Sequence, residues 1–343
     1  MDSVSRHMRT HDLPTPALVI DVDVLQGNLQ GMAARHPGDT LRPHVKAHKC
    51  TALAAAQAEV GHAGFTCATP REVVGMAAAG LGHDLLLANE TVDAGRLAAM
   101  VAAGERHGAR ITVAVDSAET VDAAAGAGIR EVLVDVDVGL PRCGCTVDDA
   151  GRIADLARGR GMHVRGVMGY EGHLMVVPDP DAQLAAVTEA MARLRAAHAA
   201  VGGDVVSAGG TGTHHLHEHT GVTEIQAGSY ALMDSHYAAQ GHPFGQACHV
   251  LGTVISIGAR HAVADVGLKA MGMDHGNPTT PAGTVWFLSD EHLTFAPAAP
   301  VRVGDRIAVV PAHIDPTMSM HEVAWLARGD EVIDRWSIDL RGW

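Results

Sequence analysis

Cationic side chains are scarce in this chain: 25 lysines and arginines stand against 39 aspartates and glutamates, a formal net charge of −14 over 343 residues. A nucleic acid or an anionic bilayer would need a basic face to offset its phosphates, so both are excluded as partners, and small molecules or a second copy of the chain are expected instead. The sequence also has no run of about 18 uncharged apolar residues, the length a membrane-crossing helix needs. Met1 to Leu13 is polar and lacks the apolar core of a signal peptide, so a cytoplasmic location is expected. Cysteines are few and odd in number: Cys50, Cys67, Cys143, Cys145 and Cys248 fit a reducing compartment better than a disulfide framework. Cys143-Gly144-Cys145 has no second pair at zinc-ribbon spacing and reads as structural. There is no internal repeat and no long linker.

What is present is apolar bulk. With 47% hydrophobic residues the chain can bury a large core, and its length suits two domains. Short apolar runs alternate with alanine-rich helical stretches. The runs end near Lys46 and then cover Gly64 to Ala68, Asp84 to Ala88, Ile111 to Val115, Glu131 to Val136, Arg165 to Gly169, Val205 to Ala208 and Glu224 to Ala227. Eight strands, each followed by a helix, predict an α/β fold of the (β/α)8 type over residues 14–245, with its site at the strand C-termini; a doubly wound open sheet is the alternative. From about Gln246 the helices give way to short alternating runs, which predict a β domain over residues 246–343, with residues 1–22 a candidate addition to it.

Arg42-Pro43-His44-Val45-Lys46 places a lysine at the end of the first run, among other cations. Like charge and partial desolvation favour the neutral amine, the form that attacks a carbonyl. The other reading is a solvated basic patch. After the seventh and eighth strands come Ser207-Ala208-Gly209-Gly210-Thr211-Gly212 and Gly228-Ser229-Tyr230. Glycines let backbone N–H groups approach an anion, the hydroxyls of Thr211 and Ser229 add donors, and barrels hold phosphate at this position. A lysine facing a phosphate cradle suggests pyridoxal phosphate. Arg142 could donate to the phenolic oxygen of that cofactor, Tyr170 could pack on its ring, and His173 could be a base; each could equally be a structural loop residue. In Val310-Pro311-Ala312-His313-Ile314-Asp315, extended backbone would put His313 and Asp315 on one face, where an imidazole and a carboxylate can reach one ion.

Together with Leu13-Pro14-Thr15-Pro16, Asp135 to Cys143, Thr223 to Tyr230, Met233-Asp234, Asp265 to Lys269, Ser289 to His292 and His313 to Thr317, these segments resemble the D-threonine aldolase and D-serine dehydratase group of fold-type III pyridoxal-phosphate enzymes. The resemblance runs over nearly the whole chain. It implies an alanine-racemase-like barrel with a β domain, Lys46 as the Schiff-base lysine, metal ligands at His313 and Asp315, and a homodimer in which one subunit's β domain completes the other's site. In the dehydratase branch the second ligand is typically cysteine. Asp315 offers oxygen instead, which suits Mn²⁺ first, with Mg²⁺, Ca²⁺ or Zn²⁺ as other choices, and points to an aldolase that cleaves D-3-hydroxy amino acids to glycine and an aldehyde. Dehydration of D-serine or D-3-hydroxyaspartate, and a pyridoxal-phosphate carrier without turnover, are the alternatives. The chain departs from the aldolases it resembles at Met175-Val176, where they carry a histidine; His173 lies nearby, out of register.

Overall fold

The computed structural model of the protein describes residues 8–343. Residues 1–7, the start of the polar N-terminal segment and of the stretch considered for the β domain, lie outside the described residues. Among the described residues no helix is long and apolar enough to cross a membrane. The chain divides into two compact units. One is Ala33–Lys46 with Ala54–Gly228 and Gly342–Trp343; the other is the chain up to Met32 with Ala47–Leu53 and Ser229–Arg341.

The first strand, β1 (Ala17–Asp21), belongs to the second unit. The next seven are β2 (Gly64–Cys67), β3 (Asp84–Leu87), β4 (Ile111–Val115), β5 (Glu131–Asp135), β6 (His163–Met168), β7 (Val205–Ala208) and β8 (Glu224–Ile225). They run parallel in sequential order. Capping explains where the intervening helices begin and end. Thr69, Asp93 and Ser117 each accept a first-turn backbone N–H, and Gly108 and Gly128 end their helices in the left-handed conformation. Leu86, Ala114, Leu133 and Met168, one from each of β3 to β6, form a buried cluster.

The expected first strand of the barrel is only an extended link. Arg42 N–H donates to Ile225 O and His44 N–H to Ala227 O, while Pro43 O accepts from Thr66 N–H. Leu41 thus bridges to Ile225 of β8 and His44 to Thr66 of β2, joining the two edges of the sheet as an eighth strand would. Pro43 has no N–H to extend the ladder, and the chain turns into a 3₁₀ helix at Val45–Ala47.

Arg42 is not one of the cations around Lys46. Its buried guanidinium pairs with Glu224 at 2.8 Å and Asp84 at 2.8 Å, and Asp84 also binds Arg165 at 2.7 Å. Burial works against the charge of Arg42, but Glu224 and Asp84 more than offset it and raise its pKa. Burial likewise opposes the Asp84 carboxylate, yet hydrogen bonds from Arg165 and Arg42 hold its pKa far below the ordinary range.

In the second unit the remaining strands are β9 (Cys248–Ile257), β10 (Ala262–Ala264), β11 (Gly283–Leu288), β12 (Leu293–Pro297), β13 (Arg306–Val309), β14 (Val323–Arg328) and β15 (Glu331–Ser337). Among the described residues their order is β11-β12-β10-β9-β1-β14-β15, with β13 also pairing β9. Residues 17–21 are therefore an interior strand of this sheet, parallel to β14 and antiparallel to β9. Leu13, Ala17, Val19, Leu251, Ala327 and Val332 form a buried cluster here. The unit is not purely β: a short helix, Ile314–Met320, follows β13.

Candidate active site

In the barrel unit, three of the expected residues meet at one aromatic ring. Lys46 lies in the 3₁₀ turn after the linking segment, and its Nζ is 5.6 Å from the centre of the Tyr170 ring. The guanidinium carbon of Arg142 is 5.3 Å from the same centre. Both distances fall within cation–π range. Tyr170 follows β6 and Arg142 lies in the loop after β5, so sequence-distant strand ends deliver the cluster to the C-terminal side of the sheet, where barrel sites are built.

The glycine-rich turn after β7 lies beside that ring. A Cβ on Gly210 would stand 2.7 Å from Met175 Sδ and 3.4 Å from Tyr170 Cε2, and one on Gly212 would strike the Met175 carbonyl oxygen. These glycines therefore admit Met175 and Tyr170, and Gly210 N donates to Thr213 Oγ1 within the turn. Gly209 has φ +83°, a conformation glycine adopts at little cost. Thr211 is buried within the turn.

Glu171, next to Tyr170 in the chain, braces this turn. It is fully buried and accepts from Gly209 N at 3.2 Å, Thr213 Oγ1 at 2.6 Å and His217 Nε2 at 2.9 Å. Burial alone would raise its pKa; hydrogen bonding and charge from His217, with Thr213, outweigh that and hold it below the ordinary carboxylate value.

Ser207, expected at the phosphate, is committed elsewhere: its hydroxyl donates to Glu224 at 2.7 Å and accepts from Gln226 Nε2 at 2.8 Å. Its place on β7 turns it to the buried ion network. His173 is exposed in the 3₁₀ turn Gly172–Leu174. Its ring edge packs at Gly139, where a Cβ would lie 3.0 Å from Cε1.

Around Arg142 the sequence reading missed an acidic pair. Asp135, at the end of β5, is buried, and burial together with the neighbouring Glu90 pushes its carboxyl well above the ordinary range, against the pull of Arg142. Burial also pushes the thiols of Cys143 and Cys145 up to about 12, so neither is a nucleophile at neutral pH. Gly144 between them has φ +108°, and a Cβ there would sit 2.6 Å from Asp137 N. Cys143-Gly144-Cys145 is a tight return onto β5, the structural role expected of it.

In the other unit, Gly228-Ser229-Tyr230 begins with the last residue of the barrel unit. Ser229 Oγ donates to Asp315 Oδ1 at 3.0 Å. Tyr230 is fully buried, its ring 5.7 Å from that of Phe244, so it is a core residue of this unit. His313 and Asp315 do not share extended backbone. His313 is the extended N-cap residue of helix Ile314–Met320 and Asp315 lies in its first turn. Aspartate and proline both favour the first turn of a helix, Asp315 through the helix dipole and Pro316 because no partner is needed for its missing N–H. Asp234, fully buried, fixes this start by accepting from Ile314 N at 3.1 Å and Tyr237 N at 2.8 Å.

Pyridoxal phosphate needs an amine for its aldehyde, donors for its phosphate and groups facing its ring. Lys46, the glycine-rich turn Gly209 to Gly212, and Tyr170 with Arg142 offer these groups in one unit, although Gly209 N and Gly210 N already donate to Glu171 and Thr213 Oγ1, so the residues fit the cofactor with Gly212 as the glycine amide of the turn left for the phosphate. His313 and Asp315, half-buried at one helix start, supply nitrogen and oxygen donors that fit a divalent ion.

Known proteins share this two-part fold. Residues 20–236 match the family model of the alanine racemase N-terminal domain, and residues 247–327 match that of the serine dehydratase domain. The chain is 34% identical to a D-threonine aldolase of Arthrobacter sp., over 96% of this chain and 93% of the relative. The crystal structure of a D-threonine aldolase from Filomicrobium marinum superposes with a TM-score of 0.91 at 32% identity, covering 98% of both chains. A D-threo-3-hydroxyaspartate dehydratase from Delftia sp. HT23 superposes with a TM-score of 0.85 at 28% identity, over 98% of this chain and all of that one.

Proposed function

The chain belongs to the fold-type III pyridoxal-phosphate family built on the alanine racemase barrel, and from that premise we propose that it cleaves D-3-hydroxy amino acids to glycine and an aldehyde. The observation that carries this reading is Asp315, an oxygen donor in the first turn of the helix that His313 caps. A carboxylate beside an imidazole favours hard ions such as Mn²⁺ over the softer ions that thiolate selects. Similarity to D-threonine aldolases over both units supports the same choice.

Pyridoxal phosphate, when bound, supplies an electron sink for the pair left at Cα as the Cα–Cβ bond breaks. A divalent ion supplies Lewis-acid polarisation of the 3-hydroxyl. The protein's own groups bind, orient and move protons around that chemistry. Lys46 is the amine that carries the cofactor. Arg142, standing over the Tyr170 ring, would donate to the phenolic oxygen of the cofactor, and Tyr170, the ring that neighbours both cations, would pack on the cofactor ring. The amides of Gly212 and Gly228, with Thr211, would take the phosphate, since Gly209 N, Gly210 N and the Ser229 hydroxyl already donate to Glu171, Thr213 and Asp315. His313 and Asp315 hold the ion. His173, exposed in the turn that follows Tyr170, is the imidazole that would take the hydroxyl proton. The same reading takes Mn²⁺ as the ion, a homodimer as the assembly and the cytoplasm as the compartment.

A second reading, elimination of ammonia from D-serine or D-3-hydroxyaspartate, is supported by the likeness to the Delftia dehydratase, 34% identical over 77% of this chain. Product balance separates the two. Holoenzyme incubated with D-threonine should release glycine and acetaldehyde in equal amounts with no ammonia. Ammonia and a keto acid as the main products would replace the aldolase reading with the dehydratase one, and no product from any D-3-hydroxy amino acid would favour a carrier.

A further inference from the structure

Asp274 and His275 lie at the centre of a tight turn from Met273 to Gly276. Gly276 N donates to Met273 O at 3.1 Å, and Gly276 itself has φ +105°. The turn is tied to the metal motif through backbone. Gly272 and His313 form an antiparallel bridge, Gly272 N donates to Thr317 Oγ1 at 3.0 Å, and that hydroxyl donates to His313 O at 2.7 Å. With both backbones fixed, Asp274 Oδ2 stands 2.6 Å from His313 Nδ1. The His275 ring lies on the His313 ring at 3.9 Å with only 8° between their planes.

Asp274, His275 and His313 bring their donor atoms within 4.8 Å of one another, close enough to suggest a three-ligand site. The ring geometry argues otherwise. An imidazole lone pair lies in the ring plane, so two parallel stacked rings send their lone pairs side by side instead of to one point. The 2.6 Å separation is that of a charge-assisted N–H···O⁻ hydrogen bond. A histidine that donates one ring N–H to a carboxylate is left with its other nitrogen as the metal ligand, in a fixed tautomer and orientation.

We propose that Asp274 is a positioning residue of the metal centre: by accepting a hydrogen bond from His313 Nδ1–H it fixes the ring so that Nε2 is the atom offered to the ion. This rests on the reading of His313 and Asp315 as metal ligands. His275, stacked on the ring face, restricts rotation of His313 about the same axis. Asp274 is exposed and lies 39 residues from His313, which is why no spacing pattern connects the two.

The test is Mn²⁺ binding to the cofactor-loaded protein, read from the electron paramagnetic resonance signal of free Mn²⁺, with cofactor absorption and thermal unfolding as controls. Asp274→Ala should weaken Mn²⁺ binding roughly 10- to 100-fold and leave both controls unchanged. Asp274→Asn, which keeps a carbonyl acceptor, should recover part of the loss, and it carries the comparison if the alanine variant fails to fold. Wild-type affinity in Asp274→Ala, or in Asp274→Asn where the alanine variant does not fold, alongside lost binding in Asp315→Ala would overturn this proposal and leave the metal reading standing. Undiminished binding in both His313→Ala and Asp315→Ala would overturn the metal reading itself. A crystal structure of the Mn²⁺-loaded protein should place the ion on Nε2 with Asp274 on Nδ1; an ion on Nδ1 or on Asp274 would contradict the proposal.

Discussion

Lys46 Nζ stands 5.6 Å from the centre of the Tyr170 ring, and Arg142 holds to the same ring at 5.3 Å. Tyr170 is thus the common neighbour of the amine and the guanidinium that the proposed chemistry needs, and of the glycine turn that would hold phosphate. Removing the ring should loosen all three. Lys269 is exposed and paired with Glu291 at 3.2 Å.

Borohydride reduction of the holoenzyme should attach the cofactor to Lys46. Peptide mapping reads this directly, and Lys46→Ala should lose the adduct, the visible absorption and turnover. An adduct on Lys49 or Lys269 would show that the active-site lysine is another residue.

Gly210→Ala should weaken cofactor binding about tenfold, because its Cβ would press on Met175 Sδ and Tyr170 Cε2 and overpacking of this kind costs about 1–3 kcal/mol. Met175→Ala in the same chain should recover most of that loss, since it removes the atom at 2.7 Å. Equilibrium dialysis of pyridoxal phosphate measures both. An unchanged affinity in Gly210→Ala would remove this turn from the cofactor site.

Glu171→Gln should cost about 2–4 kcal/mol of stability, because one buried carboxylate satisfies three donors. The pH dependence gives the sign. The folded-state pKa of Glu171 is lowered, so the unfolded chain takes up its proton at higher pH. The stabilisation is fully present above the ordinary value of about 4.5 and is lost as pH falls through the lowered folded value. Urea unfolding from pH 7 downward should show the variant's deficit shrinking below that point. A deficit independent of pH would indicate lost packing in place of a lost charge.

Much of the barrel was legible because each strand is a short apolar run bounded by helix caps and glycines that act locally. The linking segment Leu41 to His44 departs from a strand through one residue, Pro43, whose effect on the ladder is also local and could have been weighed. The start of the helix at Ile314 carried a readable signal too, since Asp315-Pro316 suits a first turn better than extended backbone. The remaining differences are long-range. Ser207 is drawn to Glu224, Glu171 to His217 and Arg42 to Asp84 across 17, 46 and 42 residues, and no periodicity encodes such pairs. Whether a buried polar group faces a ligand or another side chain depends on what the fold brings opposite it. That is why Asp274 went unnoticed.

The most direct test of metal-assisted cleavage is the rate of glycine release from D-threonine by holoenzyme treated with a chelator, followed together with the cofactor's visible absorption. Loss of Lewis-acid activation should lower the rate roughly 10³-fold or more with the absorption retained, and Mn²⁺ should restore it in the wild type but not in Asp315→Ala at ordinary concentrations. Undiminished glycine release in chelator, or full activity of Asp315→Ala, would contradict the account.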